Sequence, residues 1–351
     1  MNKTLFLPLI LLIFSLYYFV FPREGSPETV WTAVYCEPFA DIDHTPPPLQ
    51  DTIVINQGEY KAVLGPDASQ NYISPRGFRG YLSAEHALYR DKGTLYLKEF
   101  GSASFGITEN GASPYVYKDR FFAVDYGSAF IEEYDSSGSI LWTWKGLAPV
   151  TAITWNDSYT GIGSLDGTVR LVNRKGEVTG YPAFPDTGDH IVYGVALSDD
   201  SDRLAVISGL KEQYLRVFSL SDAPVLLDTV KLESQYRRPV KMFYSPDSSF
   251  LWVEQEGGLL QYNDDGSTLF LPVSGQFLTM NYDREQRLLY LLSQDLNKEG
   301  QPAYFMLCYS PEGTLVFISD SDFYPFAFHL NGDSLLYSMN NDILLLKRRE
   351  M

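Results

Sequence analysis

The chain of 351 residues is poor in cysteine, histidine and basic side chains, and each shortage excludes a class of chemistry. Its two cysteines, Cys36 and Cys308, cannot supply the closely spaced thiolate pairs of a structural zinc cage. Free buried thiols are the plainer account of two residues so far apart in sequence, and one disulfide in an oxidising compartment is the alternative. Of the four histidines, His44 falls in a Pro-rich stretch, His86 begins a strand pattern, His329 ends one, and His190 follows Asp189 at a loop end. None belongs to a recognisable nucleophile, base or metal motif. Lys and Arg number 27 against 44 Asp and Glu, giving a net charge of -17. The longest basic run is Lys347 to Arg349, too little to displace counterions from a phosphate backbone, so nucleic acid is not an expected partner. Acidic clusters such as "SDDSD" and "SDSD" lack the glycine and terminal glutamate of a calcium loop and read as polar turns. The expectation is therefore no metal, no cofactor and no catalytic constellation.

What the chain has in quantity is aromatic residues: 25 Tyr, 22 Phe and 5 Trp. Flat and β-branched side chains suit a pleated surface, and a 45% hydrophobic composition is ample for a folded core. An all-β fold is expected. One exception stands at the start. Thr4 to Phe21 are 18 uncharged, mostly apolar positions, which as a helix would cover about 27 Å of hydrocarbon. The following "FVFPREGSPE" offers no clean small-residue cleavage site, so an uncleaved anchor is expected rather than a signal peptide. Residues 1–22 are read as a cytoplasmic tip and a transmembrane signal-anchor helix, with the main domain periplasmic or extracellular. Six prolines between Pro22 and Gln50 mark residues 23–50 as a stiff linker, part of which packs on the domain that follows at 51–351.

Within that domain, "SLDGTVRLVNRKGEV" pairs two alternating strands around a glycine-containing turn. The pattern returns in "HALYRDKGTLYLKEF", "AFIEEYDSSGSILWTW", "YLRVFSLSDAPVLLDTV", "LLQYNDDGSTLFLPV" and "YFMLCYSPEGTLVFIS". Gly93, Gly138, Gly176, Ala223, Gly266 and Gly313 occupy the turn's end, at intervals of 45, 38, 47, 43 and 47. Upstream of most copies lies a second strand pair, as in "VTAITWNDSYTGIGS" and "KMFYSPDSSFLWVEQ". Four antiparallel strands per 40 to 45 residues is the period of a propeller blade, a sheet that cannot cover its own apolar faces and must stack on a neighbour.

The residues also carry family resemblances. "SLDGTVRLVN" resembles the WD40 repeat, "YDSSGSILWTW" resembles the PQQ-like repeat, and "SPDSSFLWV" is similar to the inner turn of YVTN-type propellers. The resemblance covers about Asn71 to Met351 at the level of the β-propeller superfamily. It implies a toroid of blades, often a rigid platform for other proteins. It implies no quinone, because only Trp142 occupies the PQQ-type tryptophan place. Counting hairpins gives a seven-bladed β-propeller, with eight blades the alternative, and Asp51 to Gly65 is expected to complete the last blade.

Irregular connections on a rigid scaffold are where binding groups concentrate. The candidate partner-binding residues are Phe184, Asp186, Asp189 and His190 in one loop, Tyr236, Arg237 and Arg238 in a second, and Asp322, Phe323 and Tyr324 in a third. Aromatics and arginine are the usual interface anchors. The expected function is a non-catalytic protein-binding scaffold held at the membrane, in a cell-envelope assembly. The alternatives are a lactonase-like propeller hydrolase or a ligand sensor acting at the channel mouth.

Overall fold

The computed structural model describes residues 29–38, 53–56, 61–64, 70–73, 78–100, 104–108, 111–180, 184, 191–220, 224–321, 328–331, 334–339 and 342–350. The apolar segment Thr4 to Phe21 lies outside them. Every regular element among the described residues is a β-strand, as expected, and none is a helix. The strands form eight antiparallel sheets, seven of four strands and one of three. In chain order they occupy residues 53–73 (sheet I, three strands), 80–108 (II), 113–145 (III), 150–180 (IV), 192–231 (V), 242–272 (VI), 276–321 (VII) and 328–350 (VIII). Each is a simple meander, and sheet VIII takes its fourth strand from the start of the chain.

Successive residues of a strand point to opposite faces, and here both faces are covered. In sheet III, Phe121 and Ala123 pack towards sheet II with Leu88 and Leu97, while Phe122 and Val124 pack towards sheet IV with Ile162 and Val172. In sheet VI, Leu251 and Val253 meet Ile207 and Val217 of sheet V, and Trp252 meets Leu289 and Leu291 of sheet VII. The second strands Arg203–Ser208 and Phe250–Gln255 are accordingly buried along almost their whole length. Last strands behave differently. Val225–Lys231 alternates between exposed and half-buried positions, because it lies at the rim with no further strand beyond it.

The turn glycines sit where steric argument requires them. Gly138, Gly176, Gly266 and Gly313 have φ of 78°, 81°, 81° and 78°. Each donates its N–H to the carbonyl three residues back, closing the hairpin between a third and a fourth strand. Gly93 departs from the expected phase: with φ 92° after Lys92 at 46°, it closes the hairpin between the second and third strands of sheet II. A two-residue turn of this kind demands positive φ wherever it falls in the meander, so glycine alone does not report which hairpin is present. Ala223 lies outside the described residues. A second expectation is also corrected. Ile53–Ile55 and Ala62–Leu64 pair with each other inside sheet I, and the strand that completes sheet VIII is Thr29–Pro38, paired with Asp342–Glu350. These two shifts of phase account for eight sheets where the hairpin repeat pointed to seven, with eight as the alternative.

Candidate partner-binding face

In these meanders the connections between second and third strands, and those from one sheet to the next, emerge on one face of the molecule. The first strands of sheets II to VI line a cavity of about 1090 Å³ that opens among them, with Leu165, Leu210, Arg237 and Arg238 at its rim. Three aromatic side chains make one wall. The Tyr81 and Tyr115 rings lie 5.2 Å apart, and Tyr115 and Trp155 lie 5.5 Å apart. Trp155 in turn stacks on Phe122 at 5.1 Å, which holds it against the core. Tyr126 donates its hydroxyl to that of Tyr115 at 2.8 Å, and burial together with this contact drives its pKa far above the ordinary tyrosine range.

Bulges shape the same region. The first strands of sheets IV, V and VII each carry an extra residue where they leave this face, at Thr151, Tyr193 and Leu278. A bulge re-aims the side chains around it, and Tyr193 thereby meets the predicted loop: its hydroxyl accepts a bond from Arg237 Nη1 at 3.2 Å. The Arg237 guanidinium also reaches the Leu210 carbonyl.

The predicted Tyr236, Arg237 and Arg238 do come together, between sheets V and VI. The Arg238 guanidinium lies 4.2 Å from the Tyr236 ring centre and binds both carboxylate oxygens of Glu254 at 2.9 Å. Glu254 is only 4% exposed. Burial by itself would raise its pKa, but the bonds from Arg238 and from the Lys241 N–H outweigh burial and hold the carboxyl below its ordinary value of 4.5. The Tyr236 carbonyl accepts from the buried Gln213 side chain. Lys241 bonds the Leu278 carbonyl at 2.8 Å, and burial lowers its pKa. The loop is therefore braced on sheets V, VI and VII. Its cations divide by role: Arg238 neutralises a buried carboxylate, while Arg237 faces the cavity.

Phe184 is the one candidate of its loop among the described residues. Its ring lies 6.4 Å from Phe218 and 5.0 Å from the buried Arg216 guanidinium, so it packs into the seam between sheets IV and V. Asp186, Asp189, His190, Asp322, Phe323 and Tyr324 lie outside the described residues. Sequence reasoning missed Tyr81, Tyr115, Tyr126, Trp155, Met242 and Phe243 along the cavity. The signal was the recurrence of an aromatic in first strands, "GYL", "SPYVY", "VTAITW" and "MFY", which alone could not distinguish channel from seam. Among the described residues no group of three or more His, Cys, Asp or Glu side chains could hold a metal ion. His86 is buried with its ring 5.1 Å from Phe121, and Cys308 is a free buried thiol whose pKa burial pushes up to about 12.

Stacked four-stranded meanders whose first strands line a cavity define a propeller-type fold. A family model described as a beta-propeller protein matches residues 96–308, more than half of the chain, and the chain belongs to that family. It is 28% identical over 184 residues to an uncharacterized protein of Treponema pallidum (strain Nichols), a match covering 51% of this chain. The chain spans about half, 48%, of that relative's length. Among solved structures, BamB from Moraxella catarrhalis superposes with a TM-score of 0.58 at 12% identity, covering 91% of this chain and all of that one. The computationally designed Ika8 protein gives 0.60 at 11% identity, covering 88% and 98%. A chain of the mitotic checkpoint complex gives 0.53 at 14%, covering 93% and 98%. At such identities the likeness concerns the fold alone.

Proposed function

We propose that the chain is a membrane-anchored, extracytoplasmic propeller of eight blades that acts as a non-catalytic scaffold, binding another protein on its loop face. The observation that carries this reading is the braced cluster of Tyr236, Arg237 and Arg238, a cationic and aromatic patch held rigid on a strongly acidic molecule. Rigid anchors lose little side-chain freedom on docking, and aromatic and arginine residues supply most interface energy. The eight-blade count is favoured by the eight sheets among the described residues and by the pairing of Thr29–Pro38 with Asp342–Glu350, which brings an early and a late strand into one sheet. The apolar run Thr4 to Phe21 supports the anchor, and the occurrence of a similar fold in the mitotic checkpoint complex is in keeping with a docking role.

The test is site-specific photocrosslinking of the full chain in native membranes. A photoreactive residue at Gln235, exposed beside the cluster, should yield a discrete adduct, and one at Ser136, on a hairpin turn of the opposite face, should not. Arg237→Glu should abolish the Gln235 adduct. Recovery of the uncrosslinked chain alone from both positions would defeat the scaffold reading, and extraction of the chain from membranes by alkaline carbonate would defeat the anchor.

A further inference from the structure

The cavity lined by sheets II to VI has a character that docking on the loop face does not require. The chain carries 44 acidic side chains against 27 basic ones, yet the described residues lining this space include three cations, Arg237, Arg238 and Lys241, and no carboxylate. The remaining lining is largely hydrocarbon and aromatic, from Tyr81, Tyr115 and Trp155 on one side to Met242 and Phe243 on the other. Its volume of about 1090 Å³ lies just above the range of about 300 to 1,000 Å³ typical of small-molecule sites.

The three cations are not equivalent. Arg238 is spent on Glu254, and the Lys241 ammonium bonds the carbonyls of Phe277 and Leu278 at 3.4 and 2.8 Å. Arg237 is exposed, and its bonds to the described residues, to Tyr193 and Leu210, both run through Nη1. Its Nε and Nη2 make none to those residues. An anion entering the cavity would meet a guanidinium edge with donors to give, against apolar walls that weaken competition from water.

The geometry points to a binding site, inside the cavity, for a small amphipathic anion: a flat apolar body lying against Tyr115, Trp155 and Phe243, with one carboxylate, sulfonate or phosphate group on Arg237. Highly charged polar metabolites are disfavoured, because only one of the three cations among the described lining residues is open and most of the lining is apolar. This site stands on the cavity and its charge, independently of the partner-binding reading.

The experiment uses the full chain in detergent and two fluorescent probes that share an anilinonaphthalene body: 8-anilinonaphthalene-1-sulfonate, an anion, and N-phenyl-1-naphthylamine, which is uncharged. The anion should bind saturably, one per chain, with energy transfer from tryptophan that falls in Trp155→Phe. Arg237→Gln should weaken the anion about tenfold and leave the uncharged probe unchanged, a difference of the size expected for one charge-assisted contact. Arg237→Lys should restore most of the loss. Circular dichroism melts of each variant confirm that the folded state is being read. Equal binding of the two probes to the native chain, an unchanged anion affinity in Arg237→Gln, or non-saturable binding each overturn the proposal. Photocrosslinking at Gln235 is read separately, so failure of one reading is distinct from failure of the other.

Discussion

Two seams between neighbouring sheets solve the same packing problem by different physics. The buried body of the seam between sheets V and VI is hydrocarbon, Ile207, Leu215 and Val217 against Leu251 and Val253, and the Arg203–Asp264 ion pair that also joins these sheets lies outside it, partly exposed. The seam between sheets III and IV has a similar apolar body, but a buried ion pair is set into it. Arg120 and Glu133 are each 1% exposed. The guanidinium gives Nε and Nη2 to the two carboxylate oxygens at 2.8 and 2.7 Å. Nη1 reaches the Asn156 and Tyr159 carbonyls at 2.7 and 3.1 Å, and Nη2 also reaches the Thr160 hydroxyl at 3.0 Å. All five donors are thereby satisfied, and the Trp142 indole adds a bond to Glu133 at 2.7 Å. Asn156 extends the connection by donating to the Ser198 carbonyl of sheet V at 2.8 Å. Apolar packing tolerates small rotations of one sheet on another, whereas this network holds only at one setting. The comparison teaches that area sets how strongly sheets adhere and directional bonds set how they are aligned.

The sharpest way to break that comparison is to leave one charge without its partner. Glu133→Leu should cost about 3 to 5 kcal/mol, read by urea denaturation, because the Arg120 guanidinium would stay buried and uncompensated. The double variant Arg120→Met with Glu133→Leu should recover most of this. If single and double variants are equally unstable, the pair contributes adhesion rather than alignment and the contrast fails.

On the other side of the contrast, Leu251→Ala in the hydrocarbon seam should cost about 3 kcal/mol through lost burial and the cavity left behind. A loss under about 1 kcal/mol in the same titration would show that this seam repacks freely.

The hairpin turns give a smaller and graded effect. A Cβ at Gly313 would lie 2.4 Å from Leu269 Cδ2, whereas at Gly266 the nearest atom is Asp228 Oδ2 at 3.5 Å. Gly266→Ala should therefore cost only the strain of the left-handed conformation, about 1 kcal/mol, and Gly313→Ala about 2 kcal/mol because Leu269 must also shift. Equal melting temperatures for the two would remove packing from the account of these turns.

The smallest effect is a pH dependence at the braced loop. Because the folded pKa of Glu254 lies below its ordinary value of 4.5, the unfolded chain binds that proton more readily than the folded one. Its contribution is therefore present above about pH 4.5 and is lost as pH falls through the lower folded value. In Arg238→Gln, burial is no longer outweighed, and the urea midpoint should lose this part of its acid sensitivity. Arg238 is half exposed, so solvent screens the effect. An unchanged acid limb would mean that other carboxylates set it.

Much of the fold was legible because a strand period of two, repeated with a turn glycine, leaves few alternatives to stacked antiparallel sheets. The phase of that repeat was less legible: Gly93 and Gly138 satisfy the same steric demand in different hairpins, and Thr29–Pro38 pairs with strand Asp342–Glu350, a partner more than 300 positions away. At the candidate site, the Tyr236 to Arg238 cluster was visible as a local change in composition. Its division into a buried partner of Glu254 and a cation facing a cavity was not, since Glu254 belongs to a different strand and looks in sequence like any surface glutamate.

By itself the sequence determined the class of structure, because side-chain alternation and turn sterics act over a few residues and are written in adjacent letters. Which residues meet across a seam, which arginine is consumed by a buried carboxylate, and where first strands converge to leave a cavity were decided only by tertiary structure. Those outcomes depend on the stacking of whole sheets, and the energies that fix them arise between residues that no local pattern relates.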